Sequence, residues 1–216
     1  LRSRLRFLAV RRALGLTVVL LGALGAAPLA AQAPRAAAPL ASFASQRVIV
    51  TPIQLLRGDS LSWVTPATWS TFRKQLDDAI GSAIAERGIG TGWSYASDVA
   101  RIAKRNQLYT SDPYSLGAQP WRGVLYKPQD RIPGVMASNL RALIALGDTR
   151  YALMPVELVF ERRDDRQRAT LRFALLDGRG GAIVWVGDVT SDPATALTPQ
   201  WFTDLAAKVA DLVAAR

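Results

Sequence analysis

The stretch YALMPVELVFERRDDRQRATLRFALLDGRGGAIVWVGDV, residues 151–189, reads as three strands joined by two tight turns. Ala152, Met154, Val156, Leu158 and Phe160 recur at every second position, which places them on one face of an extended segment. Ala169, Leu171, Phe173 and Leu175 do the same in the second segment, and Ile183, Trp185 and Val189 form the inward set of the third. Arg163-Asp164-Asp165-Arg166 and Asp177-Gly178-Arg179-Gly180-Gly181 connect them, and both are short and rich in turn-forming residues. The expectation is an antiparallel meander.

Outward from the meander, the pattern changes to helical spacing on both sides. Val135 to Leu146 reads as a helix stopped at Gly147. After the third strand Thr198 caps a helix with Pro199 at its first position, and Phe202, Leu205, Ala206, Val209, Leu212 and Val213 form its apolar stripe. Upstream, Arg47 to Leu56 suits a largely buried strand with Pro52 marking a bulge or edge. Pro66 and Thr68 open a helix with Phe72, Leu76, Ala79, Ile80, Ala83 and Ile84 on one face, and Gly88 ends it in a left-handed conformation. A short strand near Trp93 to Tyr95 precedes a second helix, which Ser97 is expected to cap and which carries Val99, Ile102 and Ala103. Together these predict an α/β fold: a mixed sheet of about five strands with helices packed on it, ending in the meander and a C-terminal helix. Residues 46–216 are expected to form a single domain.

Residues 107–134 interrupt this order with no usable period: Tyr109, Asp112-Pro113-Tyr114, Gln119-Pro120-Trp121, Tyr126, Pro128 and Pro133. A loop this long is uncommon in a compact domain and often functional. Two readings stand: an insertion folded back over the sheet with its aromatics as packing, or a partner-binding surface. Trp63, Trp69, Trp121 and Tyr126 lie in or beside loops, and aromatic residues are enriched at interfaces. The candidate contact residues are Trp121, Arg122, Tyr126 and Lys127. Second to them is the basic hairpin of Arg162, Arg163 and Arg166, joined by Arg168 and Arg172. Such a hairpin serves either as a solvated edge that discourages strand pairing or as a dock for an acidic partner.

The N-terminus predicts where the chain works. Arg2, Arg4, Arg6, Arg11 and Arg12 precede an apolar run from Ala13 to Ala27 that ends at Pro28 and a small-residue stretch, the pattern of a secretory signal peptide. The run is shorter than the roughly 20 residues a membrane span needs. Residues 1–31 are therefore expected to be a leader cut within 31–33, after Ala31 for preference, leaving no stable transmembrane segment. Residues 32–45, rich in Ala and Pro, are expected to be a disordered linker. No cysteine lies near the cut to take a lipid. The expected product is periplasmic or secreted.

The five arginines of that leader account for half of the formal charge of +10, leaving +5 for the rest. Arginine outnumbers lysine 23 to 4, which reads as coding bias as much as selection for a polyanion. Nucleic acid is not an expected partner, since that requires clustered phosphate contacts.

The chain has no histidine and no cysteine. Hydrolases with a histidine base, His/Cys zinc sites, disulfides and thiol chemistry are excluded together. Asp77-Asp78 are helix neighbours about 100° apart and are expected to face solvent. Asp164-Asp165 suit a hairpin turn. Gly88-Ile89-Gly90-Thr91-Gly92 follows a helix and precedes a strand, the reverse of a phosphate-binding order. Thr71 and Lys74 are explained by helix-start chemistry. No catalytic, cofactor-binding or metal-binding residue is expected.

The passage Leu146-Gly147-Asp148-Thr149-Arg150-Tyr151-Ala152-Leu153 and the hairpin Leu176-Asp177-Gly178-Arg179-Gly180-Gly181-Ala182-Ile183-Val184-Trp185-Val186-Gly187 resemble a bacterial envelope superfamily. Its members include the amino-terminal domain of TolB, the periplasmic domain of the curli secretion protein CsgG and the LpoB-type activators of penicillin-binding proteins. The resemblance covers residues 46–215 apart from the 107–134 interruption. It implies a scaffold for protein contacts in the periplasm. This chain departs from CsgG and LpoB in lacking a lipidation cysteine, from CsgG in lacking a long pair of pore-forming strands, and from TolB in lacking propeller repeats. The function so implied is a non-enzymatic exported accessory protein that binds an envelope component of unknown identity. Two alternatives stay open: an exported enzyme using carboxylates alone or a metal held by Asp and Glu, and a structural subunit that self-associates through a sheet edge.

Overall fold

The computed structural model describes residues 38–58, 65–89 and 91–214. The expected signal peptide, residues 32–37 of the expected linker, and Trp63 lie outside the described residues.

The strand expected at Arg47 to Leu56 breaks at Pro52 into β1 (Val48–Val50) and β2 (Leu55–Gly58). Both run parallel to the same neighbour, β4 (Tyr151–Arg163): Ile49 is opposite Ala152 and Leu56 opposite Leu158. Proline has no N–H for the ladder, so the chain leaves the sheet there and rejoins it. On its other side β1 pairs in parallel with the two-residue β3 (Trp93–Ser94). β4 pairs antiparallel with β5 (Arg166–Asp177), and β5 with β6 (Ala182–Thr190), which is the expected meander. The sheet thus has six strands ordered β3-β1-β4-β5-β6, with β2 beside β4.

Helices α1 (Pro66–Glu86) and α4 (Pro199–Ala210) cover one face. Thr65 caps α1 by accepting from Thr68 N–H at 3.2 Å, and Thr198 caps α4 by accepting from Trp201 N–H at 3.3 Å. Their buried side chains Phe72, Leu76, Ile80, Leu205 and Val209 meet Leu153, Leu171, Phe173 and Leu175 of the sheet. The other face is covered by α2 (Ala96–Arg105), α3 (Gly134–Leu146) and part of the 107–134 segment. There Val99, Met136, Leu140 and Ile144 pack on Ala152, Met154, Ala174 and Leu176. Each core is built from one face of the same sheet.

Four expectations are corrected. Residues 38–45, assigned to a disordered linker, are packed: Leu40 is fully buried, its N–H donates to Leu212 O at 2.7 Å, and Trp93 Nε1 donates to Phe43 O at 3.3 Å. The apolar side chains amid the alanines supply anchors that composition alone hides. α2 begins at Ala96 with Tyr95 as the capping position; the Asp98 carboxylate accepts from Tyr95 N–H at 3.3 Å, and Ser97 lies inside the helix. The even-numbered residues of β4 do not share one face. A bulge between Pro155 and Glu157 reverses the alternation, so Ala152, Met154 and Val156 join the α2/α3 core while Leu158 and Phe160 join the α1/α4 core. A second irregularity opposite Leu175 and Leu176 likewise sends Ile183 to one side of β6 and Trp185 and Val189 to the other.

Candidate functional site

The 107–134 segment is fixed to the body at several points. Gln54, in the gap between β1 and β2, donates from Nε2 to the carbonyls of Pro52 at 2.7 Å and Pro113 at 2.9 Å, and its Oε1 accepts from Leu116 N–H at 3.0 Å. Leu116, Ala118, Trp121 and Ile132 are buried in the α2/α3 core. Near its end, Gln129 N–H donates to Ile183 O at 2.9 Å and Ile132 N–H to Gly181 O at 3.1 Å, so the segment borders the start of β6. The packing reading is therefore correct for these residues.

Trp121, the first expected contact residue, is one of them. Its ring is buried and stacks on Tyr126 with centroids 4.4 Å apart and planes at 23°. Tyr126 is half-buried; desolvation raises the pKa of its hydroxyl well above the usual phenol range, and the hydroxyl has no hydrogen-bond partner among the described residues. Arg122 and Lys127 are exposed. Arg122 Nη2 donates to Leu56 O at 2.9 Å, tying the segment to β2. The four residues lie together, but only Arg122 and Lys127 face solvent.

Beneath this part of the segment, Glu157 is buried to 1% exposure by the β4 bulge. Its Oε2 accepts from Gly123 N–H at 3.3 Å and its Oε1 lies 3.3 Å from Arg57 Nε. Glu157 stands opposite Arg172 on β5, which binds Asp188 of β6 through two bonds of 2.9 and 3.1 Å. This bond to Asp188 raises the Arg172 pKa. All four charges have structural partners, and the Arg172 of the expected basic hairpin is spent inside the sheet.

Elsewhere the segment exposes large apolar side chains: Leu108 at 92%, Tyr109 at 76% and Leu125 at 86%, joined by Val135 of α3 at 69%. Ser111 Oγ donates to Asn139 Oδ1 at 2.8 Å, and Asn139 lies one helical turn beyond Val135. This ties Ser111 to α3, while Tyr109 N–H donates at 2.9 Å to Asn106 O at the end of α2. Composition could not mark Leu108 or Leu125, because a single apolar residue in an aperiodic segment reads the same whether buried or exposed.

The basic hairpin extends β4 and β5 past the other strands. Arg162, Arg166 and Arg168 are exposed, and Arg162 Nε donates to Asp164 O at 3.1 Å; the Arg163 side chain lies outside the described set. Asp164 occupies the turn with φ 56°, a conformation Asp tolerates.

Asp77 differs from its expected solvent position. It sits on α1 at 5% exposure beneath the Pro52 break, where Oδ1 accepts from Ile53 N–H at 3.1 Å. Phe72, Leu76 and Ile80 form the central row of the helix face, and Arg73, Asp77 and Gly81 form the next. Burial pushes the Asp77 carboxyl up to about 8, against the lowering effects of the Ile53 bond and Arg73. The Arg73 guanidinium donates from Nη1 to Tyr114 O at 3.3 Å and Ile53 O at 3.5 Å. It lies 4.3 Å from the Tyr114 ring centre and 5.6 Å from that of Trp69. Burial likewise raises the Tyr114 phenol.

No group of three or more Asp and Glu side chains capable of holding a metal occurs among the described residues, and none of their helices is long and apolar enough to cross a membrane. No protein-family model and no curated protein matches the chain. Similar solved structures include a PelC dodecamer from Paraburkholderia phytofirmans, at 16% identity over 79% of this chain and 89% of that one, with a TM-score of 0.40. The LpoB C-terminal domain from Salmonella enterica is 15% identical over 74% of this chain and 87% of that one, with a TM-score of 0.33. Lipoprotein GNA1162 from Neisseria meningitidis is 14% identical over 73% and 90%, with a TM-score of 0.37. At these TM-scores the likenesses assign no function to this chain.

Proposed function

We propose that this chain is an exported, non-enzymatic accessory protein that binds another cell-envelope component through the outer surface of residues 107–134 and the start of α3. One observation carries the reading: Leu108, Tyr109, Val124, Leu125 and Val135 are exposed, while Leu116, Ala118, Trp121 and Ile132 of the same segment are buried and its backbone is anchored at Gln54, Glu157 and β6. A well-anchored loop that keeps large apolar groups in water has the makings of a contact surface. The basic residues Arg122 and Lys127 flank it as a polar rim. The leader-like N-terminal sequence supports export.

The test is photo-crosslinking from position 125 in envelope fractions, with identification of the captured protein. The expected result is one dominant adduct that is lost in a Leu108→Ser/Tyr109→Ser variant whose circular dichroism is unchanged. Equal capture from an exposed position on the opposite face, such as Thr203, overturns the proposal.

A further inference from the structure

Arg73 and Asp77 stand one helical turn apart on α1, and each holds a buried polar atom without a hydrogen-bond partner among the described residues: a donor, Arg73 Nε, and an acceptor, Asp77 Oδ2. Complementary groups at i and i+4 lie on the same helix face. In the described arrangement they are left unpaired, and the guanidinium instead donates outward to Ile53 O and Tyr114 O. Once the carboxyl is ionised Oδ2 is an acceptor, and because an unmet buried donor and acceptor are each costly, a second arrangement in which they meet is then close at hand.

We propose that Asp77 and Arg73 form a proton-controlled latch: with the carboxyl uncharged, Arg73 is committed to Tyr114 and holds residues 107–118 against α1, and loss of the proton turns Arg73 toward Asp77 and loosens that stretch, which Gln54 still tethers at Pro113 and Leu116.

The geometry supplies both states. Oδ1 already accepts from Ile53 N–H, so a neutral carboxyl is partly satisfied where it stands. A buried carboxylate is not, because it needs a cation, and Arg73 is the cation of α1 that acts on it. Turning Arg73 costs its bond to Tyr114 O and its place over the Tyr114 ring. The other charges bearing on the site are Asp78 on α1 and Asp112 and Tyr114 on the segment; the gap between β1 and β2 contributes only Ile53 and Gln54, which do not titrate. Asp78, Asp112 and Tyr114 all disfavour a second negative charge or are themselves neutral at pH 8, so none replaces Arg73 as the counter-ion. The carboxyl titrates at about 8, within reach of mild conditions. The latch stands whether or not the segment meets a partner.

Hydrogen–deuterium exchange of the full chain at pH 7 and pH 9, with rates corrected for the intrinsic pH dependence of exchange, tests this. Peptides within 107–118 are expected to lose about tenfold in protection between the two, because pH 9 lies about one unit above the carboxyl's titration. Peptides from β5 are expected to hold steady. Asp77→Asn, which keeps an acceptor for Ile53 N–H and cannot ionise, is expected to abolish the change. Carbon-13 NMR of the wild-type Asp77 carboxyl, which needs no variant to fold, is expected to titrate together with the exchange. Equal protection at pH 7 and pH 9 in the wild type, or an unaltered loss in Asp77→Asn, overturns the proposal.

Discussion

The Leu116 N–H donates to Gln54 Oε1 across 3.0 Å, joining the middle of the aperiodic segment to the gap that Pro52 opens between β1 and β2. The same side chain donates to Pro113 O and Pro52 O, so one amide satisfies three backbone groups that no strand or helix can reach. Gln54→Ala is expected to destabilise the chain by about 2–4 kcal/mol, since it strands buried backbone groups as well as removing bonds. Denaturant unfolding measures the loss. Faster limited proteolysis within 107–118 locates it.

A side chain at Gly178 is expected to crowd Ile144. A Cβ there would lie 2.0 Å from Ile144 Cδ1 and 3.3 Å from Cγ1, and Ile144 is buried in the α2/α3 core. Gly178→Ala is expected to cost about 1–3 kcal/mol by overpacking. Adding Ile144→Val removes the clashing methyl, so the double variant is expected to be more stable than Gly178→Ala alone. A double-mutant cycle by chemical denaturation reads the coupling.

Asp77 makes stability fall with rising pH. Its carboxyl is held above its ordinary 3.8, at about 8, so the native state binds a proton that the unfolded chain gives up in that window. The contribution is intact below pH 3.8 and is lost as pH rises to about 8, at roughly 1 kcal/mol per pH unit. Asp77→Asn is expected to flatten that slope in urea titrations between pH 5 and pH 8.

Asp177 gives the opposite slope at acid pH. Arg150 holds its carboxylate through bonds of 2.6 and 3.1 Å, and Arg179 N–H and Gly180 N–H each donate to it at 3.0 Å. These hold its pKa below 3.8, so the contribution is present above that pH and is lost as pH falls through the lowered value. Asp177→Ala is expected to cost about 1–3 kcal/mol at pH 7 and progressively less below pH 3.8, because the wild type loses the same bonds there.

The meander, the helices and their caps at Thr198 and Gly88 were legible because each rests on a local rule: period two, period 3.6, a hydroxyl before proline, a glycine at φ 79°. The β4 bulge was not. Ala152, Met154, Val156, Leu158 and Phe160 continue the even-numbered apolar pattern straight through it, because helices cover both faces of the sheet and either face accepts an apolar residue. Glu157 falls between two residues of that apolar row, yet it is itself buried against Gly123 and Arg57. Asp77 was misplaced for a related reason: beside Asp78 it reads as a polar face, and only the Pro52 gap, a feature of tertiary packing, gives its carboxyl a backbone N–H to bind. For Trp121 the sequence leaves packing and partner contact both open, since no period distinguishes an inward aromatic from an outward one there, and the structure buries it.

The phase reversal in β4 also bears on how the molecule comes apart. The strand gives Ala152, Met154 and Val156 to the α2/α3 side and Leu153, Leu158 and Phe160 to the α1/α4 side, so withdrawing it strips both helical layers together. Melting followed at Trp121 and at Trp201, on opposite sides of the sheet, should therefore give a shared midpoint, the behaviour of a single cooperative unit.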